Sequence, residues 1–131
     1  MVIDPVADLI IQLKNAGAVG KEVISVPYSK FKFAVASKLK ESGYIKNVTK
    51  RGRKTHKCIE IELLYGENGT TRINGVSRVS KPSRRVYEKA SSIKPVKYGK
   101  GALILSTPKG ILTDKEARVQ NIGGEALFKI W

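Results

Sequence analysis

The side chains in this chain best placed for chemistry lie in the run Ser106-Thr107-Pro108-Lys109-Gly110. Small hydroxyls held at a rigid strand end can reach the base edges or ribose of a shallow RNA minor groove, with an ammonium group beside them for phosphate. Ser and Thr also end ordinary strands, so the pattern alone leaves both readings open.

Other constellations point away from catalysis. Lys50-Arg51-Gly52-Arg53-Lys54-Thr55-His56 concentrates positive charge in a stretch with no aromatic residue to stack on a base, which suits phosphate contact or a solubilising tip. His56 and Cys58 alternate onto one side of an extended chain, but zinc wants four ligands and no second Cys or His exists. No metal and no cofactor are expected. No G-x-x-x-x-G-K-[ST] run occurs, and Gly99-Lys100-Gly101 precedes its strand rather than joining strand to helix. Of the acidic pairs that could hold Mg²⁺ for a nuclease, Asp4 and Asp114 fit helix starts and Glu60/Glu62 fit the solvent face of a strand.

The whole chain carries 25 Lys and Arg against 11 Asp and Glu, a formal net charge of +14 in 131 residues. Self-repulsion of that size disfavours compaction unless an anionic partner neutralises it, and a polyanion is the obvious one. The basic excess is largest beyond residue 80. One cysteine excludes an internal disulfide and fits a reducing compartment. Asp4 and Asp8 stand where a signal peptide would be basic then apolar, and no apolar run approaches membrane-spanning length, so a soluble intracellular protein without a membrane partner is expected.

The elements that must position these residues follow from spacing. Ala102 to Leu105 is a continuous apolar run bounded by Gly101 and the Pro108-Lys109-Gly110 turn, hence a buried strand with Ser106 and Thr107 where it leaves the core. Ile111 and Leu112 return to the core. Thr113 stands three residues before Glu116, the spacing of a capping box opening a helix over 114–120. Asn121 and Gly123-Gly124 end it, being tolerant of positive φ. A last strand over 125–131 places Ala126, Phe128 and Ile130 on one face.

Earlier, Asp4 and Pro5 open an amphipathic helix through Val6, Leu9, Ile10 and Leu13, with Gln12, Lys14 and Asn15 on its polar side. Glu22 to Pro27 is strand-like. Ser29 caps a second helix to about Ser42, its apolar stripe made by Phe31, Val35 and Leu39 with Phe33 and Ala36, and Lys30, Lys32, Lys38 and Lys40 facing away. Tyr44 to Thr49 and Lys57 to Tyr65 are strands. Gly66 to Gly69 is a turn, Arg72 to Val79 is extended, Lys81-Pro82-Ser83 is the best boundary, and Arg84 to Tyr87 opens the second half as its first strand. A short helix or loop fills 89–100.

The run S-T-x-K-G-x-[LM]-T-[DN]-x-E-A, followed by G-G-E and a strand ending in an aromatic residue, resembles the C-terminal signature of the bacterial ribosomal small-subunit protein eight family. D-P-V-A-D-L-I-I-Q-L-K-N-A resembles that family's opening helix and R-V-S-K-P-S-R-R-V-Y its central linker. The resemblance implies an α+β fold of two small α/β units. An N-terminal helix-strand-helix-strand-strand domain over 1–80 would precede a mostly-β RNA-binding domain with a short helix over 81–131.

It implies no enzyme but a constituent of the small ribosomal subunit that binds the central domain of the small-subunit ribosomal RNA and stabilises it during assembly. Neighbouring ribosomal proteins, and in some members the protein's own messenger, are further partners. A bacterial cytoplasm and a plastid both fit. The implied RNA surface is Ser106, Thr107, Lys109, Tyr87 and Glu125, with Arg85 beside them; the first domain would add Asp4, Lys14, Asn15, Lys30 and Lys32. Pro108 departs from the family's usual third small hydroxyl. The rival readings are a non-specific nucleic-acid-compacting protein and a small Mg²⁺-dependent nuclease using Glu60 and Glu62.

Overall fold

In the computed structural model, residues 5–53, 55–67, 69–96 and 100–131 are described. Asp4, the expected cap of the first helix, and Lys54 lie outside them. The chain divides by its contacts into a unit over Pro5–Asn74 and a unit containing Gly75–Trp131.

The first unit runs α1 (Pro5–Ala18), β1 (Val23–Pro27), α2 (Lys30–Glu41), β2 (Ile45–Arg51) and β3 (Cys58–Leu63), the order read from the sequence. β3 is the middle strand of an antiparallel sheet ordered β1-β3-β2. Its residues alternate strictly, Ile59, Ile61 and Leu63 buried and Cys58, Glu60 and Glu62 on the open side, because helices cover only one face. Val6, Leu9, Ile10 and Leu13 of α1 are all buried against that core. Ser29 caps α2, its side chain accepting from the Lys32 N–H.

Two details of this unit differ from expectation. The buried stripe of α2 is Lys32, Val35, Ala36 and Leu39, while Phe31 is exposed. Residues 32, 35, 36 and 39 follow the three-four spacing of a core-facing stripe, which leaves Phe31 at its edge and lays the stem of Lys32 along it. Lys32 therefore does not share the solvent face of Lys30 and Lys40. β2 also continues through Lys50 and Arg51, paired with Ile59 and Cys58, so the basic stretch begins inside the strand.

The second unit comprises β4 (Val76–Arg78), β5 (Tyr87–Glu88), a single 3₁₀ turn (Ala90–Ser92), β6 (Ala102–Thr107), β7 (Gly110–Thr113), α3 (Asp114–Gln120) and β8 (Gly124–Ile130). The first strand is β4, not the expected 84–87 segment. β4 and β5 pair in succession along one edge of β8, β6 takes the other edge, and β7 pairs with β6. The intervening Lys81–Arg85 stretch leaves the ladder as an exposed excursion, with Lys81 and Arg84 bridged to each other.

Leu103, Leu105, Ala117, Ala126, Ile93 and Val96 form the core under α3. The capping box is present: Glu116 N–H donates to Thr113 Oγ1 at 3.3 Å and Thr113 N–H to Glu116 Oε1 at 3.1 Å. Asp114, buried, accepts from the Leu103 N–H at 3.2 Å and from Arg118 Nη1 at 3.0 Å, tying the helix start to β6. Asn121 takes the left-handed conformation, φ 55°, that ends α3. Gly123 and Gly124 do not have positive φ; they are small for close approach, since a Cβ on Gly124 would stand 2.3 Å from the Ser106 carbonyl oxygen. The last strand buries Leu127 as well as Ala126, Phe128 and Ile130. Ile104 pairs with Phe128 but Leu105 with Ala126, so Leu127 is the extra residue of a bulge and breaks the simple alternation.

Candidate nucleic-acid interface

Strand pairing assembles the C-terminal candidates into one row. Ser106 on β6 is opposite Glu125 on β8, and Glu125 is opposite Tyr87 on β5. Directly paired residues of an antiparallel sheet project on the same face. Leu105 packs with Ala117 under α3, so alternation sends Ser106, and with it Glu125 and Tyr87, to the face away from that helix. Three strands thus present a hydroxyl, a carboxylate and a phenol side by side.

The three differ in freedom. Tyr87 is 71% exposed, which leaves its ring open for stacking. The Ser106 hydroxyl makes no hydrogen bond among the described residues. Glu125 is held: its Oε2 accepts from Ser80 Oγ and, at 3.1 Å, from Arg85 Nη1. Ser80 is fully buried, and its Oγ also accepts from the Val86 N–H at 3.2 Å. One hydroxyl therefore closes the neck of the Lys81–Arg85 excursion and fixes the carboxylate in the row. Of the two donors that meet the Glu125 carboxylate, Arg85 is the exposed one.

Thr107 has a different task. Its Oγ1 donates to the Gly110 carbonyl at 2.7 Å and accepts from the Lys109 N–H at 3.2 Å, so its proton is engaged in the β6–β7 turn. Pro108 and Lys109 are the two turn residues between the paired Thr107 and Gly110. Proline's fixed negative φ excludes the type I′ geometry usual for so short a hairpin, and Gly110 supplies the positive φ instead, at 105°. Lys109, in that turn, is exposed.

In the first unit Lys14, Asn15 and Lys30 are exposed. Gln12 donates to Asp8 one helical turn away, at 2.7 Å. Glu60 pairs with Arg51 at 3.4 Å, and no group of three potential metal ligands occurs among the described residues. Ser80 is not among the residues that the sequence marks for the site, and Lys81 and Arg84 are marked only as boundary and strand. Their signal was the turn chemistry of Ser80-Lys81-Pro82-Ser83, which marks an excursion but does not reveal which hydroxyl pins it.

A family model described as Ribosomal protein S8 matches residues 4–131. The chain is 46% identical over 130 residues to the "Small ribosomal subunit protein uS8" of Chlorobaculum tepidum, covering 99% of this chain and 98% of that one. It is 43% identical over 128 residues to the protein of the same name from Halothermothrix orenii, covering 98% and 97%, and 44% identical over 128 residues to that of Streptococcus gordonii, with the same coverage.

Proposed function

Because this chain belongs to the ribosomal protein S8 family, and is accordingly a structural, non-enzymatic protein of the small ribosomal subunit, we propose that it binds the central domain of the small-subunit ribosomal RNA directly and stabilises its fold during assembly. The observation that carries this reading is the row Tyr87, Glu125 and Ser106 across three adjacent strands, with an open ring at one end and an uncommitted hydroxyl at the other.

In this reading Ser106 hydrogen-bonds a base edge or ribose 2′-OH, and Tyr87 stacks on a base or sugar. Glu125 holds Arg85 for a phosphate and offers its remaining acceptor capacity to a base amino group. Lys109 reaches phosphate from the turn, and Thr107 contributes chiefly by holding that turn. Because the third small hydroxyl is replaced by Pro108, readout concentrates on Ser106. Lys14, Asn15 and Lys30 add backbone contacts from the first unit, sequence-independent and salt-sensitive. A messenger folded like the ribosomal RNA element would meet the same surface, which would let the protein repress its own translation. The ribosome concerned is a bacterial-type one in the cytoplasm, where neighbouring ribosomal proteins are further partners.

The test is equilibrium binding to the isolated central domain with a scrambled RNA of equal length as competitor, at two salt concentrations. A strong preference that persists at the higher salt supports readout of shape and bases. Equal binding of both RNAs that collapses with salt would return the compacting-protein reading.

A further inference from the structure

The basic β2–β3 hairpin has no aromatic residue of its own, but the fold brings one to it. Tyr28 follows directly after β1, and its N–H donates to the Lys57 carbonyl at 3.1 Å, extending the β1–β3 ladder beyond the Pro27–Cys58 pair. Val26 and Ile59 are buried on the helix-covered face. Two-residue alternation places Tyr28 and Lys57 on that same face, and Lys50, the partner of Ile59, with them.

This is where the sheet outruns its helices. Lys50 and Lys57 are exposed, with their Nζ atoms 4.6 Å and 5.9 Å from the centroid of the Tyr28 ring. Phe33 of α2 sits 6.2 Å from the same ring, tilted by 45°, and holds it from the core side. Neither lysine has a carboxylate partner among the described residues, and Glu60, on the opposite face, pairs with Arg51. Two ammonium groups drawn to one ring repel each other. The ring's negative face offsets part of that repulsion, and an anion placed between them would remove the rest.

We propose that Tyr28, Lys50 and Lys57 form a phosphate clamp that grips RNA backbone, a second contact made by the first unit; this rests on the RNA-binding reading above. The ring serves as a lock. A free lysine loses side-chain freedom when it meets a phosphate, whereas Lys50 resting on a ring braced by Phe33 has already lost part of it. Because the face of Tyr28 is covered by Lys50, the clamp reads charge and not base identity.

The experiment measures affinity for the central-domain RNA fragment and for a scrambled RNA of equal length across a potassium chloride series. Lys50→Gln with Lys57→Gln is compared with the unaltered protein and with a control pair of exposed lysines, Lys40→Gln with Lys46→Gln. The clamp variant is expected to flatten the slope of log affinity against log salt by about 1.5, the release expected for two phosphate contacts, while leaving the preference between the RNAs unchanged. Tyr28→Leu, which keeps apolar packing on Phe33, is expected to weaken binding about two- to fivefold by unlocking Lys50. An unchanged slope in the clamp variant, or an equal loss in the control pair, would overturn the proposal. The preference of the unaltered protein reports on the RNA-binding reading itself, so the two fail separately.

Discussion

Ser80→Ala probes the joint on which the candidate row depends. The residue is fully buried, donates to Glu125 Oε2 and accepts from the Val86 N–H at 3.2 Å. Its removal leaves the Val86 N–H without that acceptor, which costs about 1 kcal/mol. It also takes a donor from a carboxylate, a bond worth about 1.5–3 kcal/mol when fully buried. Glu125 is only 18% exposed but keeps Arg85, itself 51% exposed, so the lower end of that range applies and the total is about 2–3 kcal/mol.

Urea denaturation followed by fluorescence of Trp131, the sole tryptophan, reports on the unit that contains Ser80. With a slope of about 1–2 kcal/mol/M the midpoint should fall by about 1–3 M. Ser83→Ala, on the exposed tip of the same excursion, should stay within about 0.5 kcal/mol. The backbone bonds at the neck, among them Ser80 N–H to the Ala126 carbonyl, Ala126 N–H to the Val86 carbonyl and the reciprocal pair between Lys81 and Arg84, remain in the variant. A loss below about 0.5 kcal/mol in Ser80→Ala would mean that these bonds hold the excursion and that the buried hydroxyl is incidental.

Two further perturbations follow from the same unit. In Gly124→Ala the new Cβ would stand 2.3 Å from the Ser106 carbonyl oxygen and 2.9 Å from Thr107 Cγ2, so β6 and β8 must separate beside the row. A destabilisation of about 1–3 kcal/mol in urea is expected, with RNA affinity falling as well, and an unchanged midpoint would show that the strands yield freely. Thr113→Ala removes the capping box of α3, a helix of seven residues too short to be stable alone. Calorimetry should show a loss of about 1 kcal/mol, and no loss would place the helix's stability in the packing of Ala117 alone.

Where a local rule was also the dominant force, the sequence was a sufficient guide. Thr113, Glu116 and Asn121 delimit α3 at the residues expected, because cap geometry is decided within one turn. β3 alternates as read, since one covered face imposes period two. Misreadings arose where tertiary contacts chose between local options. Phe31 outranks Lys32 in hydrophobicity, yet the stripe that meets the sheet includes position 32. Gly124 suggested backbone freedom when its reason is the nearness of β6, and Leu127 is buried because of a bulge that no periodicity shows. At the candidate site Ser106 and Glu125 were separately legible, but their registry with Tyr87 is a property of pairing between strands far apart in sequence. Thr107 looked equivalent to Ser106, and only the turn distinguishes the engaged hydroxyl from the free one.

The most direct measurement is the affinity of Ser106→Ala for the central-domain RNA, in competition with scrambled RNA of equal length. The substitution removes one hydroxyl that has no partner among the described residues, so stability in urea should be unchanged. Specific binding should weaken by about 1–3 kcal/mol while binding to the scrambled RNA stays as it was. An unaltered preference for the central domain would mean that the row of Ser106, Glu125 and Tyr87 is a feature of the sheet and not its reading face.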